Sequence, residues 1–130
     1  MVYIDPQQEL FTACKLGFEQ AGQSVYDGVL PPEDTPYPFT YLGDFQQIDT
    51  ANKTAINGKV SATIHTFSDT PKNRGTLSAM MLEQKRVCRE IKRTQNFSWY
   101  VTACSQRIIP DNTTKTPLLH GILDIEFQFN

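Results

Sequence analysis

The chain is poor in the residues that most often carry chemistry. It has two histidines, His65 and His120, three cysteines and one tryptophan in 130 residues. Cys14, Cys88 and Cys104 sit inside apolar patterns without C-x-x-C spacing. An odd count with no framework reads as the reduced thiols of an intracellular chain. No G-x-S-x-G nucleophile elbow surrounds any serine, and Gly43 and Gly58 stand alone instead of forming a phosphate-cradling loop. The two imidazoles have no further ligand at metal spacing, so each is expected as an ordinary half-exposed strand residue. No catalytic, metal or cofactor-binding residue is assigned, and no cofactor is expected.

A surplus of positive charge is missing as well. Twelve Lys and Arg against fourteen Asp and Glu give a net charge of -2 and a sequence pI near 5.6. Non-specific nucleic-acid affinity requires many uncompensated cations facing phosphate, so a DNA- or RNA-binding role is disfavoured. No stretch approaches the roughly 18 apolar residues that span a bilayer. The start, Met1-Val2-Tyr3-Ile4-Asp5, has neither the basic region nor the apolar run of a signal peptide. The expectation is a soluble chain made in the cytoplasm, with no membrane partner. Without internal repeats or linkers, residues 1–130 read as one domain, long enough to bury about two thirds of its unfolded surface.

What is present is a legible run of elements. Asp5 before Pro6 marks a helix start, because the carboxylate caps free amides and proline is preset for the first helical position. Leu10, Cys14, Gly17, Phe18 and Ala21 then recur at helical spacing, and Gly22 ends the helix. A short strand over 24–29 follows. Pro31, Pro32, Pro36 and Pro38 keep the backbone extended into a second strand over 39–45, read as an edge or opening strand. In Lys59 to Phe67, Val60, Ala62, Ile64 and Thr66 alternate with Ser61, Thr63, His65 and Phe67, the two-residue period of a strand with one face on a core.

Thr70-Pro71 gives a second capping signal. Leu77, Met80, Met81, Gln84, Val87, Cys88 and Ile91 then mark one stripe of a helix running to about Arg93. Two more strands follow. In 97–109, Trp99, Val101 and Ala103 form the inward set; in 118–129, Leu119, Gly121, Leu123, Ile125, Phe127 and Phe129 do. The sum is an α+β domain, an antiparallel sheet of about four to five strands with two helices packed on one face.

Three groups of residues stand out as candidate contact surfaces. Arg86, Arg89 and Arg93 recur at three and four residues and make a basic stripe, read either as a solvated helix face or as a seam meeting an acidic patch on a neighbouring copy. The acidic candidates are Asp44, Asp49, Asp124 and Glu126. The 46–58 segment is long for a hairpin connection and holds Ile48, Lys53 and Ile56; it is read as an exposed functional loop whose isoleucines suit strand extension or burial against a partner. Tyr3, Ile4, Phe127 and Phe129, apolar and near the chain ends, invite subunit pairing at an edge.

The order of these elements resembles the tail-completion, or tail terminator, proteins of long-tailed bacteriophages. The resemblance rests on the proline-led aromatic strand Pro36-Tyr37-Pro38-Phe39-Thr40-Tyr41-Leu42-Gly43, the polar segment after it, the 59–67 strand, and the closing strand His120-Gly121-Ile122-Leu123-Asp124-Ile125-Glu126-Phe127. It implies a non-enzymatic virion protein at the head–tail interface. Such a protein forms a ring, a hexamer by the resemblance, that halts tail-tube polymerisation and meets both the tail tube protein and the head connector or stopper protein. DNA then passes through the lumen without specific binding, which the overall acidity suits. Two alternatives stay open: a head-completion stopper of the same neck, and a small ligand-binding or hydrolytic α+β domain with a pocket around Trp99, Tyr100 and His120.

Overall fold

In a computed structural model of the chain, the described residues are 4–50, 57–113 and 116–130. Helix α1 spans Pro6–Gln20 and α2 spans Arg74–Glu90. The strands are β1 (Val25–Asp27), β2 (Phe39–Thr50), β3 (Asn57–Ser68), β4 (Trp99–Asp111) and β5 (Leu118–Phe129). They form one five-stranded sheet in the order β1-β2-β3-β5-β4, and both helices pack on one face of it. The expected α+β architecture is thus present. One pairing differs: β1 runs parallel to β2, because the proline-bearing stretch between Asp27 and Phe39 carries the chain back to the end from which β1 started.

Local chemistry accounts for α1 as expected. Asp5 Oδ1 accepts the Gln8 amide at 3.1 Å, Pro6 occupies the first turn, and Gly22 leaves the helix at a φ of 90°. Leu10, Cys14 and Phe18 are fully buried, each burial of a large apolar side chain being worth about 1.5–3 kcal/mol. In α2 the order of signals misleads. Pro71 opens a turn in which the Asn73 amide bonds the Thr70 carbonyl, and the helix starts only at Arg74, after an Asn73 cap that makes no side-chain bond. It also ends three residues before Arg93. The Trp99 amide bonds the Lys92 carbonyl and Arg93 bridges to Ser98, so the chain has already reversed to bury Phe97 and Trp99.

The helix-side face of the sheet is the core. Val60, Ala62, Ile64 and Thr66 of β3 lie beside Leu123, Ile125, Phe127 and Phe129 of β5, all buried. Phe97, Trp99, Phe127 and Phe129 form an edge-to-face aromatic group at one end. Met81 of α2 sits over Gly121, where an added Cβ would lie 2.8 Å from its sulfur. The helix layer therefore comes close to β5 because that position has no side chain. Cys14 and Cys88 meet in this core as free thiols, and their mutual hydrogen bond, with burial, pushes the Cys14 thiol well up.

Two expectations about strands are corrected. Phe127 and Phe129 are not at an exposed edge. β5 lies between β3 and β4, and both rings are fully buried. In β4 a bulge between Val101 and Ala103 shifts the alternation, so Ala103 pairs with Glu126 on the open face while Cys104, opposite Ile125, takes the inner side.

Candidate functional site

The two described ends of the 46–58 segment are strand. Gln46 to Thr50 continue β2 and Asn57–Gly58 begin β3, with Ile48 opposite Lys59 and Asp49 opposite Gly58; Lys53 and Ile56 lie outside the described residues. Gly58 is required there, since a Cβ would run into the Ile48 carbonyl oxygen. Ile48 keeps 58% of its surface exposed. Because β1 is three residues long and covers only Thr40 to Leu42, the rest of β2 has an open outer edge among the described residues. The strand expected as an edge over 39–45 is therefore covered by β1 from Thr40 to Leu42 and is an edge only past Leu42.

Among the described residues, the charges on β2 are acidic only. Asp44 is exposed at the bulge between Leu42 and Phe45, and Asp49 accepts a hydrogen bond from Gln47 Nε2 at 2.7 Å. Gln47 Oε1 in turn accepts the Gln7 amide of α1 at 3.2 Å, which places Gln47 and Asp49 on the helix side. Gln7 Nε2 takes the Phe45 carbonyl at 3.1 Å.

The basic stripe divides into three. Arg86 is held within its own helix: Glu83 and Glu90 both accept from its guanidinium, Glu90 at 2.7 Å, and Glu83 first and Glu90 second push its pKa up. Arg93 lies beyond α2, its guanidinium 3.3 Å from the Ser98 hydroxyl. Arg89 is exposed and makes no ion pair among the described residues. With Lys85 it lies over the helix side of β4, where both cations draw the Cys104 thiol down while burial, the larger effect, raises it.

Asp124 and Glu126 share the open face of β5, at the floor of a trough of about 270 Å³ walled by Thr63, Ala103 and Ser105. The Thr63 hydroxyl donates to Asp124 at 2.8 Å. Thr102 donates to Glu126 at 2.7 Å and Lys59 stands 3.4 Å away; these two, the hydroxyl foremost, hold the Glu126 carboxyl below its usual range. The candidate residues thus do not converge. β2 and β4 are separated by β3 and β5, a gap of roughly 14 Å at ordinary strand spacing, so the acidic edge and the α2 cations cannot pair within one copy.

The sequence reading missed a pair on the open face. His65 Nδ1 and His120 Nε2 share a hydrogen bond of 2.7 Å, and His120 stacks on Phe67 at a ring separation of 4.4 Å. Burial lowers the pKa of both, in His120 with help from His65 and Arg107 and against Asp111, in His65 against Asp124 and Asp44. Alternation alone put both imidazoles on this face; only the β3–β5 register brings them together. His120 also lines a cleft of about 400 Å³ with Leu30, Pro31, Tyr37, Phe39 and Phe67. Trp99 is not part of it: it is buried on the other face, at the opposite end of the β4–β5 hairpin, so a pocket joining Trp99, Tyr100 and His120 does not form. Among the described residues, no three His, Cys, Asp or Glu side chains converge as a metal site. Among the described residues, no helix is long and apolar enough to cross a membrane.

Two solved structures share this fold along almost the whole chain. A chain from the virion of a native gene transfer agent particle superposes with a TM-score of 0.62 at 14% identity, over 95% of this chain and 94% of that one. A second, without a functional name, superposes with a TM-score of 0.60 at 12% identity over 97% of each. At these identities the likeness is one of fold. No protein-family profile matches the chain, and no curated protein matches it.

Proposed function

We propose that this chain is a structural protein of a phage-type virion, a ring-forming subunit at the head-proximal end of a long tail that ends tube growth and joins the tail to the head. The observation that carries the proposal is the end-to-end likeness of fold to a chain of a gene transfer agent virion. The element order and the closing strand His120 to Phe127 support the terminator role in particular, with the tail tube protein and the head connector or stopper as partners.

The physical work in such a ring is shape matching. Identical subunits closed by a rotation need one patch that fits a different patch on the next copy. This chain has unlike surfaces at opposite ends of its sheet, acidic at β2 and, through Lys85 and Arg89 of α2, basic over the helix side of β4. A hexamer follows the family resemblance, and an acidic chain lets DNA pass through the lumen without sticking. The test is to image the purified chain, alone and with tail tubes, and to weigh it by native mass spectrometry. Rings that cap one end of the tube are expected; a solitary chain that leaves tubes growing, or one that turns over a substrate, would sink the proposal.

A further inference from the structure

Resting on that ring assignment, we propose where the copies join: the sheet runs on from one subunit into the next, with the outer edge of β4 pairing antiparallel to the outer edge of the neighbour's β2. Both edges are open. Lys92 and Arg93 cover β4 only at its start, and among the described residues nothing pairs along its outer side from Ala103 to Ile109, before Pro110, which has no amide to donate. The β4–β5 ladder is in continuous register over that stretch, so the edge is straight enough to be extended. On the other flank, among the described residues, β2 is open past Leu42, apart from the Phe45 carbonyl that Gln7 occupies. A row of unpaired amides and carbonyls is a template for another strand.

Strand direction selects the partner edge. β2–β3, β3–β5 and β5–β4 are each antiparallel, so β4 points opposite to β2. A rotation about an axis along the strands keeps every strand's direction, and it sets β4 beside the neighbour's β2 in antiparallel order. The alternation of the sheet then continues through the joint.

Charge selects it again. β4 itself carries Arg107 and Asp111, whose charges offset one another, while Lys85 and Arg89 stand over its helix side. β2 carries Asp44 and Asp49 and no cation. A twofold pairing of β4 with β4 would set these cations against their copies, and β2 with β2 would set the acids together. Only the head-to-tail joint matches basic to acidic, with Asp49 on the same helix side as Arg89. Exposed Ile48 on one edge and exposed Tyr100 on the other, level with each other through the ladders, supply apolar contact.

Cross-linking tests the joint. In a Cys104→Ser background of the full chain, Gln46→Cys is combined in turn with Ala103→Cys, Ser105→Cys or Arg107→Cys, all exposed open-face positions, and the concentrated protein is oxidised. At least one pairing is expected to give a ladder of disulfide-linked oligomers ending at the ring. Dimers from Ser105→Cys alone would mean β4–β4 pairing and overturn the proposal. Oligomers seen by light scattering that none of the three pairs can link would overturn the joint and leave the ring standing. A chain that stays monomeric at every concentration would remove the ring, and the joint with it.

Discussion

Gly17 of α1 lies directly against Val87 of α2, so that a Cβ on residue 17 would overlap Val87 Cγ1, with Val87 Cβ at 3.7 Å. The two helices cross where one of them has no side chain. A buried valine is stiff at χ1 and cannot swing clear. Gly17→Ala gains about 1 kcal/mol of helix propensity but overpacks this crossing by about 1–3 kcal/mol, so a net loss of up to about 2 kcal/mol is expected in denaturant unfolding. The double variant Gly17→Ala/Val87→Ala should be more stable than the sum of its single changes predicts; strict additivity would show that the two sites do not clash.

Gln84 is a fully buried polar hub. Its Nε2 donates to Gln23 Oε1 and Thr66 Oγ1 at 3.0 Å and to Thr40 Oγ1 at 3.3 Å, tying α2 to β2, β3 and the turn after α1. Gln84→Met keeps the volume and removes the donor from three oxygens. A loss of about 1–3 kcal/mol is expected, since buried polar groups deprived of a partner retain their desolvation cost. A midpoint within experimental error of the parent would show that these oxygens find other donors.

The His65–His120 pair makes stability depend on pH. Burial depresses both pKa values in the folded chain, whereas unfolded histidines titrate near pH 6.5 on average. In the window below that value the unfolded chain binds more protons, so stability rises with pH, and it declines as pH falls toward the depressed folded values. Asp44 and Asp124 near His65, and Asp111 near His120, soften the decline; Arg107 sharpens it. Chemical denaturation at pH 7.5 and pH 5.5 should give a larger difference for the parent than for His120→Gln. Equal differences would show that the pair does not govern this slope.

Arg86 and Arg89, three residues apart on α2, should behave differently. Arg86 is bonded to Glu83 and Glu90 of its own helix, and replacing it with Ala should leave assembly intact. Arg89→Glu should abolish ring formation while the monomer keeps its circular dichroism and melting behaviour. Adding Asp49→Arg to the same chain should restore assembly, because the charges across the joint are then exchanged. Unchanged light scattering for Arg89→Glu would remove Arg89 from the interface.

Much of this was legible in the chain. The Asp5-Pro6 start, the Gly22 stop and the two-residue alternation of β3 are local, and local rules read them correctly. Where reading failed, the cause lay elsewhere in the fold. Thr70-Pro71 resembles a cap, yet the turn it makes delays α2 to Arg74. The basic stripe loses Arg93 because the chain must turn to bury Phe97 and Trp99.

By itself, the sequence determined which residues are apolar, how often they recur, and therefore which faces of which elements seek a core. Strand order is another matter. That β5 is interior and β4 marginal, that Ala103 turns outward past a bulge, and that His65 meets His120 across two strands were decided only when distant segments paired. Backbone hydrogen-bonding groups are the same for every residue type but proline, so periodicity fixes the face of a strand but not its neighbour. Only the combined burial of the sheet beneath α1 and α2 selects one arrangement.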